Sequence, residues 1–120
     1  MSQPAKSMFV FGIYLVALGA IVLIAPNLLL SLFGVPATSE VWIRIVGTLV
    51  LYLAFYYIQA ARKGLTDFMR WTIYTRSSLI VFLAAFALLG FAPPVLVLFG
   101  VIDLLGAIWT AMTLRAPASV

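Results

Sequence analysis

The sequence predicts an all-α, polytopic membrane protein. One domain covers 1–120, with four transmembrane helices at about 8–33, 40–62, 67–91 and 94–114, bundled as two helical hairpins. Three observations carry this. Hydrophobic residues make up 66% of the 120 and charged residues only 8%, and the mean hydropathy is +1.24. A soluble domain of this length keeps most of its volume near the surface and could not hide so much apolar area. Each apolar stretch runs to roughly 20 residues, enough to cross about 30 Å of hydrocarbon at 1.5 Å per residue. Pro26, Pro36, Pro93 and Pro94 mark the breaks, and most of the basic residues lie near segment ends.

The first stretch runs from Met8 to Ala25, where Pro26-Asn27 interrupts it. Proline inside a helix loses a hydrogen bond and clashes with the preceding turn. Leu28–Gly34 is too short to span again and reads as a kinked extension of the first helix or an interfacial half-helix. A cleavable signal peptide is the alternative for this end, but no small-x-small cleavage pattern follows the apolar run. Val35–Ser39 is a loop, and Ser39 before Glu40 is a candidate N-cap for the second helix. That helix ends at Arg62-Lys63-Gly64, a basic last turn with glycine behind it. Thr66-Asp67 opens the third, whose first turns carry Phe68, Arg70, Trp71 and Tyr74. Ala92-Pro93-Pro94 is a tight connection, with Pro94 suited to a first helical turn.

Composition also excludes chemistry. The chain has no cysteine and no histidine, so disulfides, thiolate catalysis and the commonest metal, haem and general-base side chain are all missing. No phosphate loop, metal-ligand spacing or nucleophile elbow is present, so the expectation is no metal, no cofactor and no catalytic residue. The net charge of +4 comes from basic residues at the ends of apolar segments, not from a basic face, which speaks against nucleic acid. With four spans, Lys6, Arg62, Lys63, Arg70, Arg76 and Arg115 fall on one side and Arg44 alone lies towards the other. The positive-inside rule then puts both termini and the central loop in the cytoplasm.

The two halves echo each other. Ala25-Pro26 leads to Leu32-Phe33-Gly34-Val35, and Ala92-Pro93 leads to Leu98-Phe99-Gly100-Val101; an Ile-charge-x-x-Gly frame follows each, at Arg44 and at Asp103. If this is a duplication, the two hairpins pack about an axis along the membrane normal. A charge inside a span costs roughly 2.5–3.5 kcal/mol on insertion scales and usually has a partner. Arg44 and Asp103 enter from the same side, Arg44 about one turn in and Asp103 on the order of 13 Å in. Two readings stay open: a structural ion pair that fixes helix register, or the polar floor of a cavity that binds a head group, substrate or proton. A third leaves each charge reaching water alone.

Helical spacing supplies further candidates. In the second helix Arg44, Thr48, Leu51, Phe55, Gln59 and Arg62 share a face with Tyr52 at its edge. Asp103, Gly106, Ala107, Thr110 and Leu114 share one in the fourth, and Gly12, Val16, Gly19 and Leu23 in the first. Such faces are first of all the seams of a bundle. The candidate ligand-binding set is Arg44, Thr48, Tyr52, Asp103 and Thr110. Arg70, Trp71 and Arg76 are expected at head-group level on the cytoplasmic side, Arg76 by snorkelling.

The pattern Ala25-Pro26, Leu32-Phe33-Gly34-Val35-Pro36, Trp42-Ile43-Arg44-Ile45-Val46-Gly47, with Arg76 and Asp103-Leu104-Leu105-Gly106-Ala107, resembles the small bacterial four-helix membrane proteins of the DoxX-like or BphX-like kind. The resemblance implies a bacterial cytoplasmic (inner) membrane protein, some of whose relatives accompany membrane redox complexes or aromatic-degradation gene clusters. It brings no catalytic residues. The expected function is a non-enzymatic accessory or scaffolding subunit holding a lipid- or quinone-like ligand, with membrane lipids and a membrane protein or a second copy as partners. The alternative is a small proton-coupled permease in which Asp103 titrates; an enzyme using Asp103 and a tyrosine comes third.

Overall fold

The computed structural model describes residues 1–115, and they are helical without strands. In order they form α1 (Gln3–Ile24), α2 (Pro26–Leu32), α3 (Val41–Lys63), α4 (Thr66–Leu88), a 3₁₀ turn (Pro94–Leu96) and α5 (Val97–Arg115). Four segments are long and apolar enough to cross a membrane: Gln3–Ile24, Val41–Lys63, Thr66–Leu88 and Pro94–Arg115. The chain divides into two compact units, one of Phe9–Gln59 and one of Met1–Met8 with Ala60 onward.

Several boundaries differ from those the sequence predicts, each for a local reason. α1 starts at Gln3, not near Met8, because Ser2 and Pro4 make a helix start. The Ser2 hydroxyl accepts from the Ala5 amide at 3.2 Å and its carbonyl from the Lys6 amide at 2.9 Å, while Pro4 sits in the first turn, where a missing N–H costs nothing. The kinked helix expected over 8–33 is two helices. Ala25 leaves helical geometry at φ −137°, ψ 61°, and the Leu28 amide turns to the Ala25 carbonyl at 3.1 Å. The third span ends at Leu88 instead of Phe91. Gly90 has φ +77°, and the Phe91 amide closes back on Phe86 at 2.8 Å, the wrapped helix ending that a left-handed glycine permits.

In the Phe9–Gln59 unit, α1 and α3 pack directly on small residues. A Cβ on Gly47 would lie 2.6 Å from the Leu23 nitrogen and 2.9 Å from the Val22 carbonyl carbon, so two backbones meet here. Phe11 packs on Tyr57 with ring centroids 5.6 Å apart. Asn27 ties the connecting loop, accepting from the Thr38 amide at 2.9 Å and donating to the Thr38 carbonyl at 3.1 Å. Thr38, not Ser39, supplies the hydroxyl there, accepting from the Glu40 amide at 3.1 Å.

In the other unit, α4 and α5 are joined by the short Leu89–Pro93 connection and run antiparallel. Gly100 lies against Ile80, where an added Cβ would be 2.6 Å from the Ile80 Cα. That contact sets the register and brings Arg76 of α4 level with the Asp103 turn of α5, four residues from Ile80 and three from Gly100. The echoing stretches of sequence differ in local structure. Leu32-Phe33-Gly34-Val35 ends a helix, with Gly34 at φ +69°, whereas Leu98-Phe99-Gly100-Val101 lies inside α5. The two stretches do not do the same structural work.

Candidate functional site

The most concentrated polar chemistry lies in the unit built from Met1–Met8, α4 and α5, and Arg76 is its centre. Met69, Thr72 and Arg76 fall at i, i+3 and i+7 on one face of α4 and all are buried. Arg76 is 2% exposed, and Ser7, Met8 and Thr110 around it are equally closed off. It stands near the middle of the Thr66–Leu88 span. The expectation that Arg76 snorkels to head groups is therefore corrected. A helical side chain points towards its own N-terminus and lies over the preceding turn, and for Arg76 that turn holds Thr72.

Proton counting assigns the network a direction. A guanidinium only donates. Arg76 Nη2 donates to Thr72 Oγ1 at 3.1 Å and to Thr110 Oγ1 at 2.9 Å, and Nε donates to the Thr72 carbonyl at 3.3 Å. Thr110, having accepted, turns its proton to Ser7 Oγ at 2.8 Å. Ser7 in turn donates to the Pro4 carbonyl at 2.7 Å, and Thr72 donates to the Met69 carbonyl at 2.7 Å. Met8 Sδ lies 3.5 Å from Thr72 Oγ1 and 3.6 Å from Arg76 Nη2. The arrangement links α4, α5 and the first turns of α1 through one cation. Such networks are worth most when every member is satisfied.

Asp103 belongs to the same unit. It is half-buried on the α5 face that carries Ala107 and Thr110, on the turn that the Gly100 contact sets level with Arg76. The α5 seam of Asp103, Gly106, Ala107 and Thr110 thus lies where helical spacing puts it. Thr110 is fully buried and bonded on both sides, to Ser7 and to Arg76.

Arg44 has a different task in the other unit. Its Nη1 donates to the Leu23 carbonyl and, at 3.3 Å, to the Ile24 carbonyl. Pro26 has no N–H, and the Leu28 amide has turned to Ala25, so the last α1 carbonyls lack helical donors. A cation at a helix C-terminus both donates to them and meets the negative end of the dipole. Replacing Arg44 with Met should lower stability by about 0.5–1 kcal/mol, read as a lower melting temperature in mild detergent. A loss several times larger would show that Arg44 does more than cap α1.

Other sequence candidates lie apart from these contacts. Thr48 Oγ1 donates to the Arg44 carbonyl at 3.1 Å. Tyr52 is 59% exposed on α3. Arg70 and Trp71 are exposed, with Arg70 3.6 Å from Asp67. The face of α3 that packs carries Gly47, Ala54 and Tyr57, rotated roughly a quarter turn from the predicted stripe. Sequence reasoning missed Ser7, Met8 and Thr72. The spacing of Thr72 and Arg76, one turn apart on one face, was the available signal. No family model, curated protein or solved structure matches this chain.

Proposed function

We propose that this chain is an integral membrane subunit of accessory or scaffolding type, its four long helices crossing a bacterial cytoplasmic membrane as a four-helix bundle with both termini inside. The observation that carries the reading is the polar and aromatic stripe on the exposed side of α3. Thr48, Tyr52, Phe55, Tyr56 and Gln59 follow one another at helical spacing, with Tyr52 59% and Tyr56 55% exposed. A hydroxyl-bearing face directed out of a membrane helix is expensive in hydrocarbon and is the kind of face that packs on another helix.

Two further features support it. The Ser7, Thr72 and Thr110 hydroxyls around Arg76 are each bonded to one another, to its Nη2 or to a backbone carbonyl, which ties the segments together. The basic residues still near segment ends, Lys6, Arg62, Lys63, Arg70 and Arg115, give the proposed orientation without Arg76. The DoxX-like resemblance points the same way, and a lipid- or quinone-like ligand near Arg44, Thr48 and Tyr52 belongs to this reading.

Gentle-detergent extraction of native membranes followed by native electrophoresis tests it. The chain is expected in a complex of fixed composition, well above its own 13.1 kDa plus the detergent. Migration as a lone chain under conditions that keep other membrane complexes intact would sink the proposal.

A further inference from the structure

We infer that Lys6, Arg62, Lys63, Arg70 and Arg115 form a surface that holds anionic phospholipid head groups in preference to zwitterionic ones; this rests on the membrane reading above and not on a partner subunit. All five are exposed, and all belong to the unit of Met1–Met8 and Ala60 onward, so contacts inside that unit place them. Gly100 against Ile80 puts Arg115 level with Leu65 and Thr110 level with Arg70. Ser7, bonded to Thr110 at 2.8 Å, brings Lys6 to that same turn. Arg62 and Lys63 end α3 just before Gly64, where the chain turns into α4 at φ +65°. The five cations therefore fall between the levels of Gly64 and Arg70, a band roughly 9 Å deep. The head-group layer of one leaflet is roughly 5–8 Å deep.

The acidic side chains of the protein cannot neutralise this band. They are Glu40, Asp67 and Asp103. Asp67 lies 3.6 Å from Arg70 and answers that one cation. Glu40 stands just before α3, 22 residues or roughly 33 Å ahead of Arg62 along one helix. Asp103 is further inside the span, seven residues or roughly 10 Å from Thr110 and 12 residues or roughly 18 Å from Arg115. Among the described residues no ion pair involves Lys6, Arg62, Lys63 or Arg115, so their counter-charge comes from outside the chain. A zwitterionic head group carries its own cation beside its phosphate, whereas an anionic one brings net charge to a basic flank. Trp71 and Tyr74, exposed one and four residues past Arg70, are the amphipathic rings that belong at a lipid boundary. An acidic protein segment in water would not need them.

Native mass spectrometry of the full chain, released from bilayers holding equal amounts of phosphatidylglycerol and phosphatidylcholine, tests this by counting the lipid it retains. Phosphatidylglycerol should exceed phosphatidylcholine by roughly tenfold or more, each cation near the surface being worth about fivefold. Arg62→Gln with Lys63→Gln should remove most of that preference. Asp67→Asn, which releases Arg70, should raise it. Glu40→Gln makes the same change of net charge before α3 and should leave it where it was. All four side chains are exposed, and an unchanged melting temperature checks that each variant is folded. Equal retention of the two lipids would overturn the inference, and so would a Glu40→Gln effect as large as that of Asp67→Asn, which would assign the preference to net charge alone. If Arg62→Gln with Lys63→Gln released a protein from the chain and left the lipid ratio unmoved, an acidic protein segment would replace lipid as the occupant. These results defeat the lipid surface alone; a chain that does not enter the bilayers defeats the membrane reading with it.

Discussion

Arg76→Ala should destabilise the protein by about 3–5 kcal/mol, the scale seen when one partner of a buried charged network is removed. The loss has several sources. Thr110 and Thr72 each lose the donor that fixes their orientation, at 2.9 and 3.1 Å, and the relay from Thr110 through Ser7 to the Pro4 carbonyl loses its origin. A long side chain that is 2% exposed also leaves a cavity behind. Thermal unfolding in mild detergent, followed by the fluorescence of Trp42, Trp71 and Trp109, reads the change.

Two companion variants separate charge from shape. Arg76→Lys keeps the cation but not the planar fork that reaches Thr72 and Thr110 together, so it should recover only part of the loss. Arg76→Leu with Asp103→Leu removes both charges and should cost less than the two single changes added together. A coupling of about 0.5–3 kcal/mol is expected for opposite charges on facing helix turns. A loss under about 1 kcal/mol for Arg76→Ala, or strict additivity in the cycle, would show that Arg76 does not hold α4, α5 and the N-terminal turns together.

The contrast between Arg76 and Arg44 shows where sequence reasoning reaches and where it stops. Helix existence was legible because twenty apolar residues between prolines and basic turns have few alternatives, and α3 and α4 begin and end within a few residues of the expected places. Roles within the helices were harder. Arg44 and Asp103 sit in matching frames, and frame similarity carries no information about rotation or depth. The proline break that makes Arg44 a cap for α1 was visible in Pro26; that Leu23 and Ile24 would be its acceptors depends on helix approach. Arg76 was grouped with Arg70 and Trp71 by proximity in sequence. Six residues along a helix are roughly 9 Å, which separates a head-group position from a buried one. The α3 stripe was found, yet its meaning changed, because the packed face turns on Gly47 and Ala54 instead.

Gly47→Ala and Gly100→Ala should each be far more damaging than the addition of one methyl group to a helix ordinarily is. Alanine is the better helix former by about 1 kcal/mol, so on propensity alone both changes would stabilise. Packing reverses the sign. At Gly47 the new Cβ would lie 2.6 Å from the Leu23 nitrogen, 2.9 Å from the Val22 carbonyl carbon and 3.0 Å from the Gly19 oxygen. All three are backbone atoms, so no rotamer change relieves the contact and α1 and α3 must separate. At Gly100 the nearest atoms are the Ile80 Cα at 2.6 Å and Cβ at 2.9 Å, and the same reasoning holds for α4 and α5. Overpacking of this kind costs about 1–3 kcal/mol or more. The two variants should nevertheless differ in kind. Separation at Gly100 shifts α5 against α4 and disturbs the Arg76 bond to Thr110, so Gly100→Ala combined with Arg76→Ala should fall short of the sum. Gly47 makes its close contacts with Gly19, Val22 and Leu23 inside the Phe9–Gln59 unit, so Gly47→Ala with Arg76→Ala should add within about 0.5 kcal/mol. Equal behaviour of the two double variants would mean that the glycine contact in α5 does not set the register on which the Arg76 network depends.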